Sequence, residues 1–278
     1  MKIDTHHHFW DYDPKQYGWI SDKMSVLKRD FGPTDLQKEI QSAGIDAVVS
    51  VQARQTLEET RWLIEIAEKT PFVAGVVGWV PLMDRDVDKH LDELHAHEVL
   101  RGVRHVVHDE PDDNFILGSD FNRGVDRLQG FGLVYDLLIF AKHLGATIKF
   151  VDQHPGQPMV LDHIAKPVIR DGQFHAEWDR EFRELAKRDN VTCKFSGVAT
   201  EVRDESWTID TVRPYWDSAW ESFGPDRLMF GSDWPVCLLM TEYKRWVDTV
   251  STLAGELSKS EQQAFWSDTA AMAYGLSL

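Results

Sequence analysis

The sequence lacks long apolar runs and has few cysteines, and these shortages exclude membrane-spanning and disulfide-stapled proteins. No stretch approaches the roughly 20 apolar residues that a helix needs to cross a bilayer, and the first residues contain no apolar signal segment. The two cysteines, Cys193 and Cys237, form neither a metal-ligand pair nor a disulfide framework, as is typical of a chain kept reduced in the cytosol. We therefore expect a cytoplasmic protein without a membrane partner.

Positive charge is also scarce. The chain has 30 Lys and Arg residues against 46 Asp and Glu residues, so its formal net charge is −16. Such a charge repels the phosphate backbone of nucleic acids, because binding that backbone requires clustered cations. We therefore expect a small-molecule partner and no nucleic acid; the composition is compatible with a monomer and with a homo-oligomer.

The overall composition is that of an ordinary folded protein. Hydrophobic residues make up 42% and charged residues 27% of the chain, which excludes a disordered chain and a fibrous repeat. The length of 278 residues exceeds the commonest domain size. However, α/β barrels of about 250 residues often fold as one domain. We expect a single domain over residues 1–278.

Short apolar runs rich in β-branched residues alternate with stretches of helical periodicity. The eight apolar runs cover residues 2–5, 47–51, 73–80, 102–107, 133–140, 159–164, 191–195 and 228–231. The helical stretches include residues 56–69, 87–97, 121–128, 177–188, 212–223 and 243–253, and a closing helix covers 260–274. Alternating strands and helices imply parallel strands, and eight of them close naturally into a ring. The pattern predicts an α/β fold, a (β/α)8 TIM-type barrel that is regular or distorted.

The strongest local signal is the histidine cluster in the first apolar run, Asp4-Thr5-His6-His7-His8. Residues two apart on a strand point to the same side, so His6 and His8 can ligate one ion while His7 faces the surrounding helices. The alternative is a histidine pair that only makes hydrogen bonds in the core, because a motif of this length is common.

Two later strand ends carry residues of the same chemical type. His163 ends the sixth apolar run, and Asp233 follows the eighth. The carboxyl ends of barrel strands face one shared pocket, so we expect these two side chains to meet His6 and His8. The alternatives are a helix N-cap for Asp233 and a hydrogen-bonded core histidine for His163. Joint placement favours a functional site.

These motifs together resemble a known family. The opening HxH, the histidine after strand six, GSDWP after strand eight and the closing helix are similar to the amidohydrolase-2 group of the amidohydrolase superfamily, over essentially the full length. More narrowly, DTHHHFWD followed by YGWI, then LRGVRHVVHDEPDDNF and FGSDWPVC, resemble its sugar-lactonase branch, the L-fuconolactonases and L-rhamnonolactonases. The resemblance implies hydrolysis of an aldonolactone, such as L-fucono-1,5-lactone, to the open aldonic acid in sugar catabolism.

Lactone hydrolysis requires an activated water, a group that polarises the carbonyl and a proton donor for the leaving oxygen. Asp233 would take the proton from water and return it to the departing oxygen. The histidines would either hydrogen-bond the carbonyl directly or, with Asp233, hold a divalent ion, so the expected catalytic residues and metal ligands are the same four: His6, His8, His163 and Asp233.

The number of metal ions is limited by what the chain lacks. In the full two-metal pattern of the superfamily, a lysine follows strand four and a histidine follows strand five. Here strand four offers Arg104 and His105, and strand five offers Tyr135 and Asp136. The resemblance therefore implies no required cofactor or one divalent ion, with zinc favoured.

Further polar and aromatic residues near the strand ends are candidates for substrate binding. Arg104 could grip a carbonyl or hydroxyl pair, although a surface ion pair is equally compatible with its position. A carboxylate in mid-strand, Asp136, must meet a cation or face a wet pocket, and we favour substrate binding. Lys194 and Ser196 share one strand face, which also fits a salt link inside the barrel. The remaining candidates are Gln52 for sugar hydroxyls and Trp10, Trp19, Trp79 and Trp234 for stacking, although some of these tryptophans will be core residues.

Two other functions compete with sugar-lactone hydrolysis. An aromatic-derived lactone hydrolase or a metal-dependent decarboxylase of the same group would act on substrates with several carboxylates, which call for clustered arginines. Only Arg54, Arg101 and Arg104 lie near the expected pocket, and Arg101 should point away from the side of Arg104. A non-catalytic sugar-binding barrel is less favoured, because it leaves Asp233 without a role.

Overall fold

The centre of the molecule is a ring of eight parallel strands, seen in a computed structural model that describes residues 1–277. The strands are β1 (Ile3–His7), β2 (Ala47–Val51), β3 (Val73–Gly78), β4 (Leu100–His105), β5 (Val134–Leu137), β6 (Met159–Leu161), β7 (Val191–Phe195) and β8 (Leu228–Phe230). Each strand pairs in parallel with the next one along the chain. Two hydrogen bonds of 2.7 Å join the last strand region to the first, from Asp233 N–H to the His6 carbonyl and from His8 N–H to the Trp234 carbonyl. The predicted (β/α)8 barrel is confirmed.

Helices follow the strands and cover the outside of the ring. They are α1 (Pro33–Ala43), α2 (Leu57–Lys69), α3 (Val87–Leu94), α4 (Ser119–Leu128), α5 (Leu144–Gln153), α6 (Ala176–Leu185), α7 (Ile209–Phe223), α8 (Tyr243–Ala254), α9 (Lys259–Gln263) and α10 (Thr269–Tyr274). A π-helical turn, Ala264–Asp268, joins the last two. Within residues 1–277, no helix has the length and apolar character needed to cross a membrane.

Local chemistry explains where one of these helices begins and why another lies outside the predicted helical stretches. Thr56 begins α2, and its hydroxyl accepts a hydrogen bond from the N–H of Glu59 at 3.1 Å. α5 lies outside the predicted helical stretches because Gly145, Thr147 and Val151 give it low helix propensity. It is helical because tertiary packing buries Thr147 and Val151.

Apolar side chains fill only the lower part of the barrel interior. Ile3, Val49, Val77, Val134, Val160 and Met229 form this layer, together with Ala270, Tyr274 and Leu276 from the C-terminal segment. A second apolar core, between the strands and the helices, holds most of the remaining buried hydrophobic residues. The upper part of the interior, at the carboxyl ends of the strands, is therefore left to polar residues.

Candidate active site

Two histidines at the end of β1 point at one carboxylate. The register of β1 against β2 shifts between Asp4 and His7, and the rings of His6 and His8 meet edge to face with centroids 5.0 Å apart. Nε2 of His8 lies 3.4 Å from Oδ1 of Asp233, and Nε2 of His6 lies 3.8 Å from the same oxygen. The predicted meeting of these three side chains is present in the structure.

Hydrogen bonds on the far side of each ring fix its orientation. Nδ1 of His8 lies 2.8 Å from the carbonyl oxygen of Val51, which can only accept, so this nitrogen carries a proton and the ring presents Nε2 to Asp233. Nδ1 of His6 lies 3.2 Å from Oδ1 of Asp162. His7 points outward, as predicted, and its Nε2 lies 2.9 Å from the hydroxyl of Ser50.

His163 reaches the same carboxylate from an unusual turn after β6. Residues 163–166 all have positive φ, between 48° and 60°, although none of them is glycine. A left-handed conformation costs roughly 1–2 kcal/mol for each L-residue, so the surrounding structure must hold this turn in place. Ile164 and Ala165 are completely buried, and the indole N–H of Trp178 donates to the Ile164 carbonyl at 2.7 Å.

The turn aims the His163 ring between two partners. Its Nδ1 lies 2.9 Å from the hydroxyl of Ser196, and its Nε2 lies 3.9 Å from Oδ1 of Asp233. Gly197, with φ of +61°, passes so close that a Cβ there would lie 2.6 Å from His163 Nδ1 and 3.1 Å from Asp233 Oδ2. Only glycine fits at this position.

Asp233 is the point on which the three imidazoles converge. Burial opposes its ionisation, but the interaction with His163, the hydrogen bond from His8 and the charge of Lys166 outweigh that effect and keep the pKa of Asp233 below its usual range. Burial lowers the pKa of His163 well below its usual range, against the raising effect of Asp233. At neutral pH the site therefore holds an ionised carboxylate beside a neutral imidazole, which is the state that a general base requires.

A buried ionic network lies directly beneath the histidines. Lys194 Nζ is 2.6 Å from Oδ2 of Asp136 and 3.0 Å from Oδ1 of Asp162, and all three side chains are fully buried. Arg104 NH1 donates to Oδ2 of Asp162 at 2.9 Å. Burial opposes ionisation of Asp162, but the nearby cations outweigh it and hold its pKa well below the usual range. Two cations and two carboxylates thus balance each other inside the barrel.

Two polar residues predicted to bind substrate belong to this network instead. Asp136 meets Lys194 and accepts a hydrogen bond from the Tyr274 hydroxyl at 2.8 Å, so the prediction of a substrate contact is corrected to the alternative of a buried cation partner. Gln52 is also completely buried, and it contacts Arg104 through its side-chain oxygen at 3.4 Å and through its carbonyl oxygen. Gln52 therefore supports Arg104 and has no surface for a sugar hydroxyl.

Arg104 itself does reach the pocket floor. Besides Asp162, its NH1 lies 3.2 Å from Nε2 of His6, the nitrogen that faces Asp233. The guanidinium is nearly buried, which excludes the alternative of a surface ion pair. The guanidinium lies beside His6 and Asp233. That Arg104 binds the substrate stays a prediction.

The four predicted tryptophans divide into core residues and residues that remain accessible. Trp10 is completely buried, and its indole N–H donates to the Arg29 carbonyl at 2.9 Å. Trp234 is buried against Phe31, with ring centroids 5.3 Å apart. Because neither indole face is open, both predictions of sugar stacking are corrected to core packing. Trp79 is only partly buried and stays a candidate.

A cavity of about 370 Å³ lies between the loops that follow β1, β2 and β4, at the same end of the barrel as the site, although none of the four converging residues lines it. Trp19 lines it and is 39% exposed, which offers the open indole face that Trp10 lacks. Polar side chains complete the lining, including Gln16, Arg54, Gln55 and Asp109. The cavity has a size and polarity suited to a small hydroxylated ligand.

Sequence reasoning missed several residues of the site. Asp162 touches His6 and two cations, and the only sequence signal was its position directly before His163. Ser196 was noted only for sharing a strand face with Lys194, whereas the structure places it against His163. Lys166 was not singled out, because the left-handed turn that carries it has no glycine or asparagine to mark it.

The donor atoms fit one divalent metal ion. One ligand atom each from His6, His8 and Asp233 lies within 4.8 Å of the other two, and a second group of the same compactness joins His6, Asp162 and His163. Two imidazoles and a carboxylate form a ligand set that zinc accepts while keeping an open position. The bond between His8 Nδ1 and a carbonyl is the outer support that metal-ligating histidines commonly show. An ion on His6 Nε2 would displace the contact with Arg104.

Comparison of the whole chain with known families and proteins gives consistent matches. The family model described as amidohydrolase matches residues 3–276. An L-fucono-1,5-lactonase from Burkholderia multivorans is 38% identical over 99% of this chain and 96% of its own. An L-fucono-1,5-lactonase from Burkholderia ambifaria is 36% identical over 89% of this chain and 86% of its own.

Solved structures agree with these sequence matches. A crystal structure of an amidohydrolase from Burkholderia multivorans with bound zinc superposes with a TM-score of 0.95 at 38% identity, covering 100% of both chains. A putative 2-pyrone-4,6-dicarboxylic acid hydrolase from Pseudomonas putida superposes with a TM-score of 0.76 at 22% identity, over 100% of this chain and 98% of its own. The second likeness shows the shared barrel fold alone.

Proposed function

We propose, from the premise that this chain belongs to the amidohydrolase family, that it is a lactonase that hydrolyses a sugar lactone to the open aldonic acid. L-Fucono-1,5-lactone is the first substrate to test, because two relatives at 38% and 36% identity bear the name of that activity. The observation that carries the proposal is the convergence of three imidazoles, those of His6, His8 and His163, on the ionised carboxylate of Asp233. This arrangement suits the activation of water.

In the proposed reaction, Asp233 transfers one proton from the water to the departing ring oxygen. As the water oxygen attacks the lactone carbonyl carbon, the carboxylate of Asp233 takes a proton from that water, and the carbonyl oxygen becomes an oxyanion. When the bond between this carbon and the ring oxygen breaks, Asp233 returns the proton to the departing ring oxygen. The product is a hydroxy acid, and the carboxylate of Asp233 is restored.

The other pocket residues bind and orient. His163 is held by Ser196 and can donate or accept a hydrogen bond beside Asp233, while the guanidinium of Arg104 lies next to His6 as a donor for the carbonyl oxygen. If a divalent ion is held by His6, His8 and Asp233, it supplies polarisation of the carbonyl and a lower pKa for its bound water.

The charges around the pocket favour a neutral substrate over a polycarboxylate. Arg104 is already paired with Asp162, and Arg101 lines a separate cavity with Tyr274 at the opposite end of the barrel. Arg54 remains at the mouth, where it meets Gln16 and a buried carboxylate, Glu59. Substrates with several carboxylates would need a cluster of unpaired cations, so a dicarboxylate lactone hydrolase or a decarboxylase is disfavoured.

We also propose that residues 1–278 act as one domain and that the protein works in the cytoplasm. The two buried cysteines, Cys193 and Cys237, support a reducing compartment, because they are unpaired in the part of the chain that the structure describes. The barrel strands span residues 3–230, and the closing helix reaches back to seal their lower end. These observations support one folding unit that acts on a small molecule.

A panel of aldonolactones tests the activity. Six-carbon and 6-deoxy sugars, each as the 1,4- and 1,5-lactone, are assayed by the release of acid. Asp233→Asn is expected to lower kcat by about 10²–10⁴-fold, because the amide cannot accept the proton. Asp248→Asn is the matched control, since this carboxylate is exposed and pairs with Lys244 on α8. Near-normal turnover by the folded Asp233→Asn variant would remove Asp233 from the mechanism.

A further inference from the structure

We propose that Lys166 binds the negative charge that forms on the lactone carbonyl oxygen during hydrolysis, and the carboxylate that forms when the product acid loses its proton to solvent. This assignment deepens the proposed function and rests on it. It makes the left-handed turn after β6 a carrier of two functional side chains, His163 and Lys166, and it gives the strained backbone there a chemical purpose.

The geometry of the turn places the two side chains on one side. Helical turns of either hand return to the same face after three to four residues, and Lys166 follows His163 by three. The N–H of Lys166 donates to the carbonyl of His163 at 2.8 Å, which closes the turn. The two intervening residues, Ile164 and Ala165, are buried in the body of the protein. His163 and Lys166 are therefore directed together towards the carboxyl end of the barrel.

The ammonium group of Lys166 has donors to spare. Its Nζ lies 3.7 Å from Oε1 of Glu201, which is an ion pair without a hydrogen bond, and 5.8 Å from the centre of the Phe140 ring. Glu201 is shared, because its other oxygen accepts a hydrogen bond from Arg203 at 2.9 Å. Within residues 1–277, the Lys166 ammonium makes no hydrogen bond, although it carries three donors. Its side chain is only 18% exposed, so solvent has limited access.

The ammonium group of Lys166 lies among the loops at the carboxyl ends of the strands. Its partners follow different strands: Phe140 comes after β5, and Glu201 comes after β7. His108 stacks on Phe140 with ring centroids 4.5 Å apart, and its Nδ1 is buried without a partner among the described residues. The Lys166 ammonium and the His108 imidazole thus both lie against the Phe140 ring, on the side of the barrel that carries Asp233.

The reaction creates the charge that this cation suits. The lactone is neutral, whereas the intermediate carries an oxyanion and the product carries a carboxylate. A cation that meets these later states more strongly than the substrate lowers the barrier and also binds the product. Arg104 and Lys194 cannot serve equally, because Asp162 and Asp136 already neutralise them.

Two ligands that differ in charge test the assignment. The binding of an aldonate and of the corresponding alditol, which is similar in shape but neutral, is measured by calorimetry on the full-length protein. Lys166→Met is expected to weaken aldonate binding about 10–100-fold, the loss typical of a charged hydrogen bond, and to leave alditol binding within about threefold. Lys166→Arg should restore most of the aldonate affinity.

Kinetics on the same variants provide the second measurement. Lys166→Met should lower kcat about 10²-fold, as the loss of an oxyanion donor does, with a much smaller change in KM for the neutral lactone. Lys187→Met is the matched control, because Lys187 forms an exposed ion pair with Glu184. If Lys166→Met folds poorly, the Lys166→Gln variant replaces it.

The outcomes separate the two proposals. Equal losses of aldonate and alditol binding, or no loss of either, would overturn the role of Lys166. A wild-type protein that hydrolyses no lactone of the panel would refute the proposed function, whatever the variants do. An active wild type with an equally active Lys166→Met variant would leave the function standing and refute the inference about Lys166.

Discussion

The buried cation of the barrel interior leads to our most demanding prediction, the effect of Lys194→Met on stability. Lys194 Nζ contacts Asp136 at 2.6 Å and Asp162 at 3.0 Å, with no exposure of any of the three side chains. Methionine fills a similar volume but leaves both carboxylates without this partner. Removing one member of a buried ion pair usually costs about 3–5 kcal/mol, because the remaining charge stays desolvated.

The surviving contacts set the expected cost near the lower end of that range. Arg104 still donates to Asp162 at 2.9 Å, and the Tyr274 hydroxyl still donates to Asp136 at 2.8 Å. We expect the free energy of unfolding to fall by about 3 kcal/mol in Lys194→Met. With an unfolding entropy of about 2.1 cal/mol/K per residue, this corresponds for 278 residues to a fall in Tm of roughly 5 °C.

The loss should depend on pH in a defined direction. Burial raises the pKa of Asp136 to about 6, partly against the lowering effect of Lys194, so removing the lysine raises the pKa further. An acid whose folded pKa is raised destabilises the fold as pH rises through the window between its unfolded and folded values. Lys194→Met should therefore lose more stability at pH 8 than at pH 5, where Asp136 is protonated.

A second substitution and a control sharpen the test, which uses urea unfolding at both pH values. Adding Asp136→Asn to Lys194→Met should recover roughly half of the lost stability, because the amide removes the unpaired charge. Lys187→Met, in the exposed pair with Glu184, should change stability by less than about 0.5 kcal/mol. The reasoning fails if Lys194→Met stays within about 1 kcal/mol of wild type, or if its loss is the same at both pH values.

Two further perturbations test the description of the site. Burial raises the pKa of Glu59 to about 7 from its usual 4.5, so the stability of wild type relative to Glu59→Gln should fall by roughly 3 kcal/mol between pH 4.5 and 8; a difference that is constant with pH in urea unfolding would contradict this. Ala165→Gly should be nearly neutral, because glycine relieves about 1 kcal/mol of left-handed strain and loses a similar amount in chain entropy and methyl burial. The same change at Ala219, buried in the right-handed helix α7, should cost at least about 1 kcal/mol more in thermal unfolding, and equal costs would contradict the strain.

The sequence predicted which strand ends carry the site better than it predicted which residues surround it. The strand pattern and the position of Asp233 after β8 depend on local periodicity and on the rule that parallel strands end at one edge, so both could be derived before the structure was known. The two-residue spacing of His6 and His8 on a strand likewise predicted that both side chains point to the same side. Both side chains point at Asp233 because the carboxyl ends of the barrel strands meet there, and this does not depend on the conformation of the loops.

Other features depend on tertiary contacts that no local pattern encodes. The left-handed turn contains four residues that individually favour ordinary conformations, and tertiary contacts hold it, including its burial and the hydrogen bond from Trp178 to the Ile164 carbonyl. The partner of Asp136 depends on which interior residues share a layer, and that requires the strand register. Burial also separates Trp19 from Trp10, two residues of one loop with the same chemistry and opposite exposure.

The balance of charges inside the barrel affects how ligands enter and leave the pocket. Arg104 and Lys194 cancel Asp136 and Asp162, so these four residues contribute nothing to the net charge of −16, which resides elsewhere in the protein. The net negative charge of the protein does not repel a neutral lactone, whereas it repels the aldonate product. The net charge therefore slows rebinding of the released anion, and we expect added salt to speed that rebinding by screening the repulsion.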